Sequence, residues 1–116
     1  MQHIRIALLF LAVASVVVPA QAQINPFRNS SGRPLNRDDL AALNEATNRL
    51  LEHPQLEVGS VESWNNPRSG VEGTVTAGNP VTRRGMACRV VFYHLNIRNR
   101  DATLTWCRTP DGWRIA

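Results

Sequence analysis

Cys88 and Cys107 are the only cysteines in this chain of 116 residues, and their spacing limits the chemistry open to them. Metal-binding cysteines ordinarily come as close pairs that deliver two ligands at once, whereas these lie 19 positions apart. His53 and His94, the only histidines after residue 22, are scattered with respect to them. No metal or other cofactor is therefore expected. Nor is there a Gly-x-Ser-x-Gly elbow, a phosphate-binding glycine loop or a His-Glu-x-x-His pair. His94 falls on an expected strand beside a turn, and a general base needs a nucleophile or an orienting group in reach. No such group is evident, so no catalytic residue is assigned and a non-enzyme is expected.

The basic residues are the second chemical feature. All 13 are Arg and none is Lys, against 9 acids, for a formal net charge of +4. Arg83-Arg84 and Arg98/Arg100 are local concentrations. The excess is modest and acids are interspersed, so a nucleic-acid partner is not expected. The planar guanidinium suits phosphate or carboxylate groups of envelope polymers, although scattered surface charge needs no partner at all. Trp64, Trp106 and Trp113 are expected in the core rather than on a ligand platform.

These residues must be positioned by a small body. At 12.9 kDa, with 43% hydrophobic and 19% charged residues, the chain is an ordinary globular domain, too short for a large enzyme fold. The start has the pattern of an export signal. His3 and Arg5 precede an uncharged run from Ile6 to Val18, Pro19 breaks it, and Ala20-Gln21-Ala22 offers small residues before a cleavage at Gln23. The run is shorter than the ~20 residues of a membrane span. No Cys follows it to accept a lipid. Residues 23–34, rich in Pro, Gly, Ser and Asn, read as a flexible lead with Ile24 and Phe27 its only large apolar groups. A docking segment using Phe27 is the alternative.

The domain proper is expected over residues 35–116. Asn36 is a good N-cap with Asp39 in capping-box position, and Leu35 and Leu40 form a hydrophobic staple. Asp38-Asp39 is thus a capping pair rather than a catalytic one. Leu40, Leu43, Thr47, Leu50 and Leu51 make one apolar stripe on a helix running from Arg37 to Glu52, stopped by Pro54. The period then changes toward two. Strands are expected at Val58–Trp64, Val71–Thr76, Gly85–Ile97, Ala102–Arg108 and Trp113–Ile115, with Asn65–Gly70, Ala77–Arg84, Arg98–Asp101 and Pro110–Gly112 as turns or loops. This predicts an α+β fold, with one N-terminal helix packed on an antiparallel meander of four to five strands. Along the third strand, Met86, Cys88, Val90 and Phe92 share one face and Ala87, Val91, Tyr93 and Leu95 the other. Both faces are fairly apolar, so either the strand is covered on both sides or one face is an interaction surface.

Cys88 and Cys107 fall on adjacent antiparallel strands in this reading, which predicts a disulfide in an oxidising compartment. Direct opposition centres the connecting turn between Ile97 and Arg98, slightly before the polar turn, so an earlier turn or a bulge is required. Closing a loop of this size contributes ~3 kcal/mol in the chain-entropy account. Two free thiols or an intermolecular pair are the alternatives.

Three segments carry a family likeness. Trp64-Asn65-Asn66-Pro67-Arg68-Ser69-Gly70-Val71-Glu72-Gly73-Thr74-Val75, then Ala87-Cys88-Arg89, then Trp106-Cys107-Arg108-Thr109-Pro110-Asp111-Gly112-Trp113-Arg114-Ile115 resemble, in order, segments of the bacterial 17 kDa surface antigen family. The motif positions are Trp64, Asn66, Pro67, Gly70, Gly73, Arg89, Arg108, Pro110, Asp111, Gly112 and Trp113, and the likeness spans about Leu40 to Ile115. It implies a cell-envelope location and no particular reaction. Family members typically carry a lipid-accepting Cys and a Gly-rich segment ahead of this domain, and neither is found here. The expectation is an exported, non-enzymatic envelope protein of the periplasm, outer membrane or cell surface, without a lipid anchor or transmembrane span after processing. It would act as a structural or binding module on an envelope component or protein; the alternative is a small periplasmic inhibitor or ligand-binding module. The exported protein is expected to begin at Gln23. N-terminal mass analysis of the purified protein checks this, and retention of residues 1–22 would instead indicate an uncleaved anchor.

Overall fold

A computed structural model describes residues 23–30 and 32–116; the expected export signal and the Ala22–Gln23 cleavage point lie outside the described residues. Helix α1 (Arg37–Leu51) is followed by strands β1 (Val61–Asn66), β2 (Val71–Arg83), β3 (Met86–Leu95), β4 (Arg100–Thr109) and β5 (Gly112–Ile115), with a short 3-10 turn at Ile97–Asn99. The strands pair in chain order, all antiparallel, in one five-stranded sheet. The fold is α+β as expected, with α1 lying across β1 and β2.

The helix begins where its chemistry requires. The Asn36 side chain accepts from the Asp39 N–H at 2.7 Å, and the Asp39 carboxylate accepts from the Asn36 N–H at 3.0 Å. Leu43, Ala46, Thr47, Leu50 and Leu51 are buried along one side. They meet Trp64, Val71, Val75, Ala77, Val91, Tyr93, Leu95 and Trp106 in a single core. Asp39 has a second role. Its other oxygen accepts from Asn66 Nδ2 at 2.8 Å and Ser69 Oγ at 2.5 Å, tying the helix start to the β1–β2 turn. Burial raises the pKa of this carboxyl, which is 3% exposed, but the bonds from Ser69, the Asn36 backbone and Asn66, with the charge of Arg33, more than offset that and hold it below the ordinary carboxylate value.

At the centre of the core a polar chain crosses the two layers. Trp106 Nε1 donates to the Tyr93 hydroxyl at 2.9 Å, and that hydroxyl lies 3.1 Å from the Thr47 hydroxyl. Thr47 gives its single proton to the Leu43 carbonyl at 3.0 Å, so the proton between the two hydroxyls comes from Tyr93. Burial pushes the Tyr93 pKa up to about 12, against the smaller opposing effect of its bonds to Thr47 and Trp106. The fold therefore favours the neutral phenol. That contribution is complete below the ordinary phenol value and is lost as pH rises through the folded one.

Four local expectations are corrected. Residues 77–84 are not a loop: β2 continues to Arg83 through a register shift between Ala77 and Pro80. Past Ala77 the strand has left its β1 neighbour behind, and proline is tolerated at such an edge. Strand β1 starts at Val61 rather than Val58; Gly59 and Ser60 reach it through backbone bonds to Ala77. The β3–β4 connection is the earlier turn, with Arg98 at φ 56° and Asn99 at φ 45°, and it leaves the β3–β4 register unbroken. Finally, the lead expected to be flexible is packed against the domain. Phe27 is 3% exposed and part of the core, the Ile24 carbonyl accepts from Asn44 Nδ2 at 2.9 Å, and Arg100 donates to the Arg33 carbonyl at 2.8 Å and to Ser30. The Arg100 guanidinium sits 5.4 Å from the Phe27 ring centroid. One large ring is worth about 2–3 kcal/mol when buried, enough to draw in a polar segment whose own backbone is bonded.

The Asp39 tie predicts a pH dependence. A carboxyl with a lowered folded pKa contributes stability above the ordinary carboxylate range and loses it as pH falls through the folded value. Asp39→Asn is expected to cost about 1–3 kcal/mol at neutral pH. It should also flatten the fall in stability on acidification, as read from denaturant unfolding at pH 7 and pH 3.

Candidate functional site

The sheet has one face turned to the core and one turned outward. On β3, Val91, Tyr93 and Leu95 face the helix and are buried, while Phe92 on the opposite face is 49% exposed. Around Val61 and Phe92 that face is open among the described residues, whereas Cys88 and Cys107 on it are buried. Strand register arranges its side chains in cross-strand rows. Ser63, Thr74, His94 and Asp101 form one row, and Val61, Thr76, Phe92 and Thr103 the next. Beyond them Val90 opposes Thr105, and Val81, Cys88, Cys107 and Arg114 form a further row. The Cys88–Cys107 disulfide is present and joins directly opposed residues. The register shift in β2 serves Phe92: a Cβ on Gly78 would lie 2.7 Å from the ring and 3.0 Å from the Val90 carbonyl, so only glycine lets that ring lie against β2.

Two depressions open at the ends of this face. One, of about 380 Å³, is lined by Ser63, Asn65, Glu72, Thr74, His94 and Asn96, with Trp64 and Gly73. His94 is not alone there: its Nδ1 lies 2.7 Å from Asp101 Oδ1, both groups being solvent-accessible. A carboxylate at Nδ1 fixes the tautomer of a neutral imidazole and leaves Nε2 as an acceptor. The neighbouring hydroxyls of Ser63 and Thr74 make no hydrogen bond to the ring, so the row has an oriented base and no engaged nucleophile. The other depression, of about 670 Å³, lies between the β2–β3 hairpin tip and β5. Arg83, Arg84 and Arg114 line it over Thr103, Thr105 and Thr109. A third space, of about 640 Å³, lies between α1 and β5, where Asn44, Asn48 and Glu52 face Trp106, Trp113 and Ile115. Among the described residues no group of His, Cys, Asp and Glu is placed to hold a metal ion, and no helix is long and apolar enough to cross a membrane.

Of the motif positions, Trp64 and Gly73 border the first depression and Asp111, Gly112 and Trp113 the third, and the rest lie along strands and turns. Trp64 is buried against Gly73. The Asn66 carbonyl accepts from Ser69 and Gly70, its side chain accepts from Arg68 and donates to Asp39, and Pro67 lies in the same turn, which Gly70 closes at φ 75°. Arg89 donates to the Gly78 carbonyl at 3.0 Å and the Leu56 carbonyl at 3.5 Å, holding the β2 irregularity. Pro110 and Asp111 form the β4–β5 turn with Gly112 at φ 110°, and Arg108 lies 5.8 Å from the Trp113 ring centroid. A profile described as the 17 kDa outer membrane surface antigen matches residues 53–114. The chain belongs to that family. The match begins after α1 ends and takes in the sheet up to Arg114 in β5, a shorter span than the resemblance read from Leu40 onward. Membership associates the protein with the cell envelope. No curated protein and no solved structure matches it.

Sequence reasoning found the cysteine pair and the turns that follow β1 and β4 in this surface-antigen domain. It missed the His94–Asp101 pair and the inclusion of Arg114 with Arg83-Arg84. The first was recoverable, since the register that opposes the cysteines also opposes His94 and Asp101. The second had no signal, because Arg114 is brought to the hairpin only by the closing of β5 on β4.

Gly73 makes the motif testable. A Cβ there would lie 2.7 Å from both the His94 carbonyl and Trp64 Nε1. The first neighbour is backbone and the second a buried ring, so neither yields cheaply. Gly73→Ala is expected to cost about 1–3 kcal/mol. A melting curve checks this, with Gly59→Ala as a comparison: that glycine is at φ 90° with open space around it, so its cost is conformational only.

Proposed function

We propose that this is an exported, non-catalytic envelope protein whose outer sheet face binds another envelope component. It resides in the periplasm or at the outer membrane surface. The observation that carries this is the uncovered face itself. On the solvent-turned face Phe92 stands half-exposed with Val61, itself 53% exposed, in the same row, and exposed apolar groups set together in this way mark an interaction surface. Polar and basic depressions flank that row, in the pattern of an apolar anchor with a polar rim. The family's envelope association supports the location, and the export pattern before Gln23 supports the route. The non-catalytic reading is supported by the setting of the His94–Asp101 pair, which is solvent-accessible and has no hydroxyl bonded to its ring.

Cross-linking capture from envelope fractions tests the proposal. Wild-type protein should retain envelope material, and Phe92→Ser should reduce retention by about ten-fold or more, the effect of removing an interface anchor. Its melting temperature should change little, since the ring is half-exposed. Equal retention by the two proteins, or a cytosolic location with residues 1–22 intact, would overturn it. Recovery of one soluble, stoichiometric protein would replace it with the inhibitor reading.

A further inference from the structure

We propose that the depression between Arg83, Arg84 and Arg114 is a binding site for a phosphate group, free or carried on a lipid headgroup. This rests on the outer face being the binding surface and names the ligand at one end of it. Three guanidinium groups approach from two sides, Arg83 and Arg84 from the β2–β3 hairpin and Arg114 from β5. No Asp or Glu side chain lines the space, and the acidic group nearest to it is the backbone carboxylate at Ala116, which a phosphate would have to displace from the arginines. Acids that make close contacts are engaged elsewhere among the described residues: Glu62 with Arg49, Asp101 with His94, and Asp39 with Asn66 and Ser69. Arg114 uses one N–H on the Trp113 carbonyl and keeps the rest of its fork. Thr103, Thr105 and Thr109 line it as well, together with Cys107 of the disulfide and the apolar Met86, Leu104 and Ile115.

The hairpin tip points the same way. Arg84 is at φ 50° and Gly85 at φ 76°, both left-handed, in the two-residue turn joining β2 to β3. Asn or Gly takes the first of these positions with less strain than Arg. The chain therefore carries a guanidinium where its backbone would prefer a smaller residue. Phosphate fits the set better than carboxylate. A carboxylate offers two oxygens in one plane, which one arginine fork satisfies, whereas a phosphate offers three or more acceptors in a tetrahedral array, matching donors on several sides.

The test titrates inorganic phosphate into the full protein at low ionic strength and follows backbone amides by NMR. Shifts are expected at Arg84, Gly85, Thr103, Thr105 and Arg114, and not at Ser63 or Asn65 in the other depression. Arg84→Asn is the decisive variant, because it removes the charge while suiting the turn. It should bind about ten-fold more weakly, the scale of one charge-assisted contact, with melting unchanged or raised. Arg114→Gln should behave alike in binding, and Arg68→Gln, in the β1–β2 turn, should bind as wild type. Flotation with phosphatidylcholine vesicles with and without phosphatidic acid assigns the source. Arg84-dependent recruitment to the acidic vesicles identifies a headgroup, and solution binding without recruitment identifies free phosphate. No amide shift, equal loss in Arg84→Asn and Arg68→Gln, or succinate matching phosphate at the same amides would overturn the site. A null titration beside Phe92-dependent envelope capture sinks this site alone. Phosphate binding beside capture that ignores Phe92 sinks the broader reading instead.

Discussion

The buried hydroxyl of Tyr93 is the point on which helix and sheet agree. It takes a proton from Trp106 on β4, gives one to Thr47 on α1, and Thr47 passes its own to the helix backbone at Leu43. Three polar side chains thereby enter the core with those groups paired, and the pairing holds only at one separation and one rotation of the layers. Apolar contacts around it tolerate sliding; this chain does not. The Asp39 tie to Asn66 and Ser69 acts at the other end of the same helix. Between them the two networks fix where α1 crosses β1 and β2 and so decide which sheet face is left free.

The division of labour along the chain follows. The positions whose pattern resembles the surface-antigen family close turns, hold the β2 irregularity or pack in the core; the outer face is written in other positions, Phe92, His94, Thr103, Thr105 and Arg114. The motif therefore maintains a platform, and a search for chemistry among the motif residues finds only architecture. Gly73 and Gly78 show how directly this works, since each is small so that a neighbouring ring can lie flat, Trp64 on the core side and Phe92 on the other.

Much of the fold was legible because it rests on local chemistry. The Asn36–Asp39 cap, the Asn66–Gly70 and Pro110–Gly112 turns and the alternation on β3 are encoded within a few residues of one another. The disulfide was legible because two cysteines leave one intramolecular pairing. What escaped was set by partners distant in the chain. Phe27 looked like part of a tether because its polar neighbours hide that the core takes in one more ring beneath the Arg100 guanidinium. Pro80 looked like a loop because its tolerance depends on β1 having ended. The free face was undecided because apolar residues on both sides of β3 do not say which side the helix will take. Asp39 was read as a cap alone, since nothing adjacent announces its bonds to a turn 27 and 30 residues away.

The meander order has a consequence for how the molecule is made. Every strand pairs with its immediate successor, and no crossover has to wait for a distant segment. Loop-closure costs are therefore small, and such topologies lie toward the fast end of folding rates for sheet proteins. The hairpin that brings Cys88 to Cys107 can form before α1 docks, so the thiols meet in register and oxidise without a wrong partner to be undone. For a chain delivered unfolded across a membrane, as the export proposed above requires, assembly by successive hairpins shortens the time that unpaired edges stand exposed to neighbouring chains.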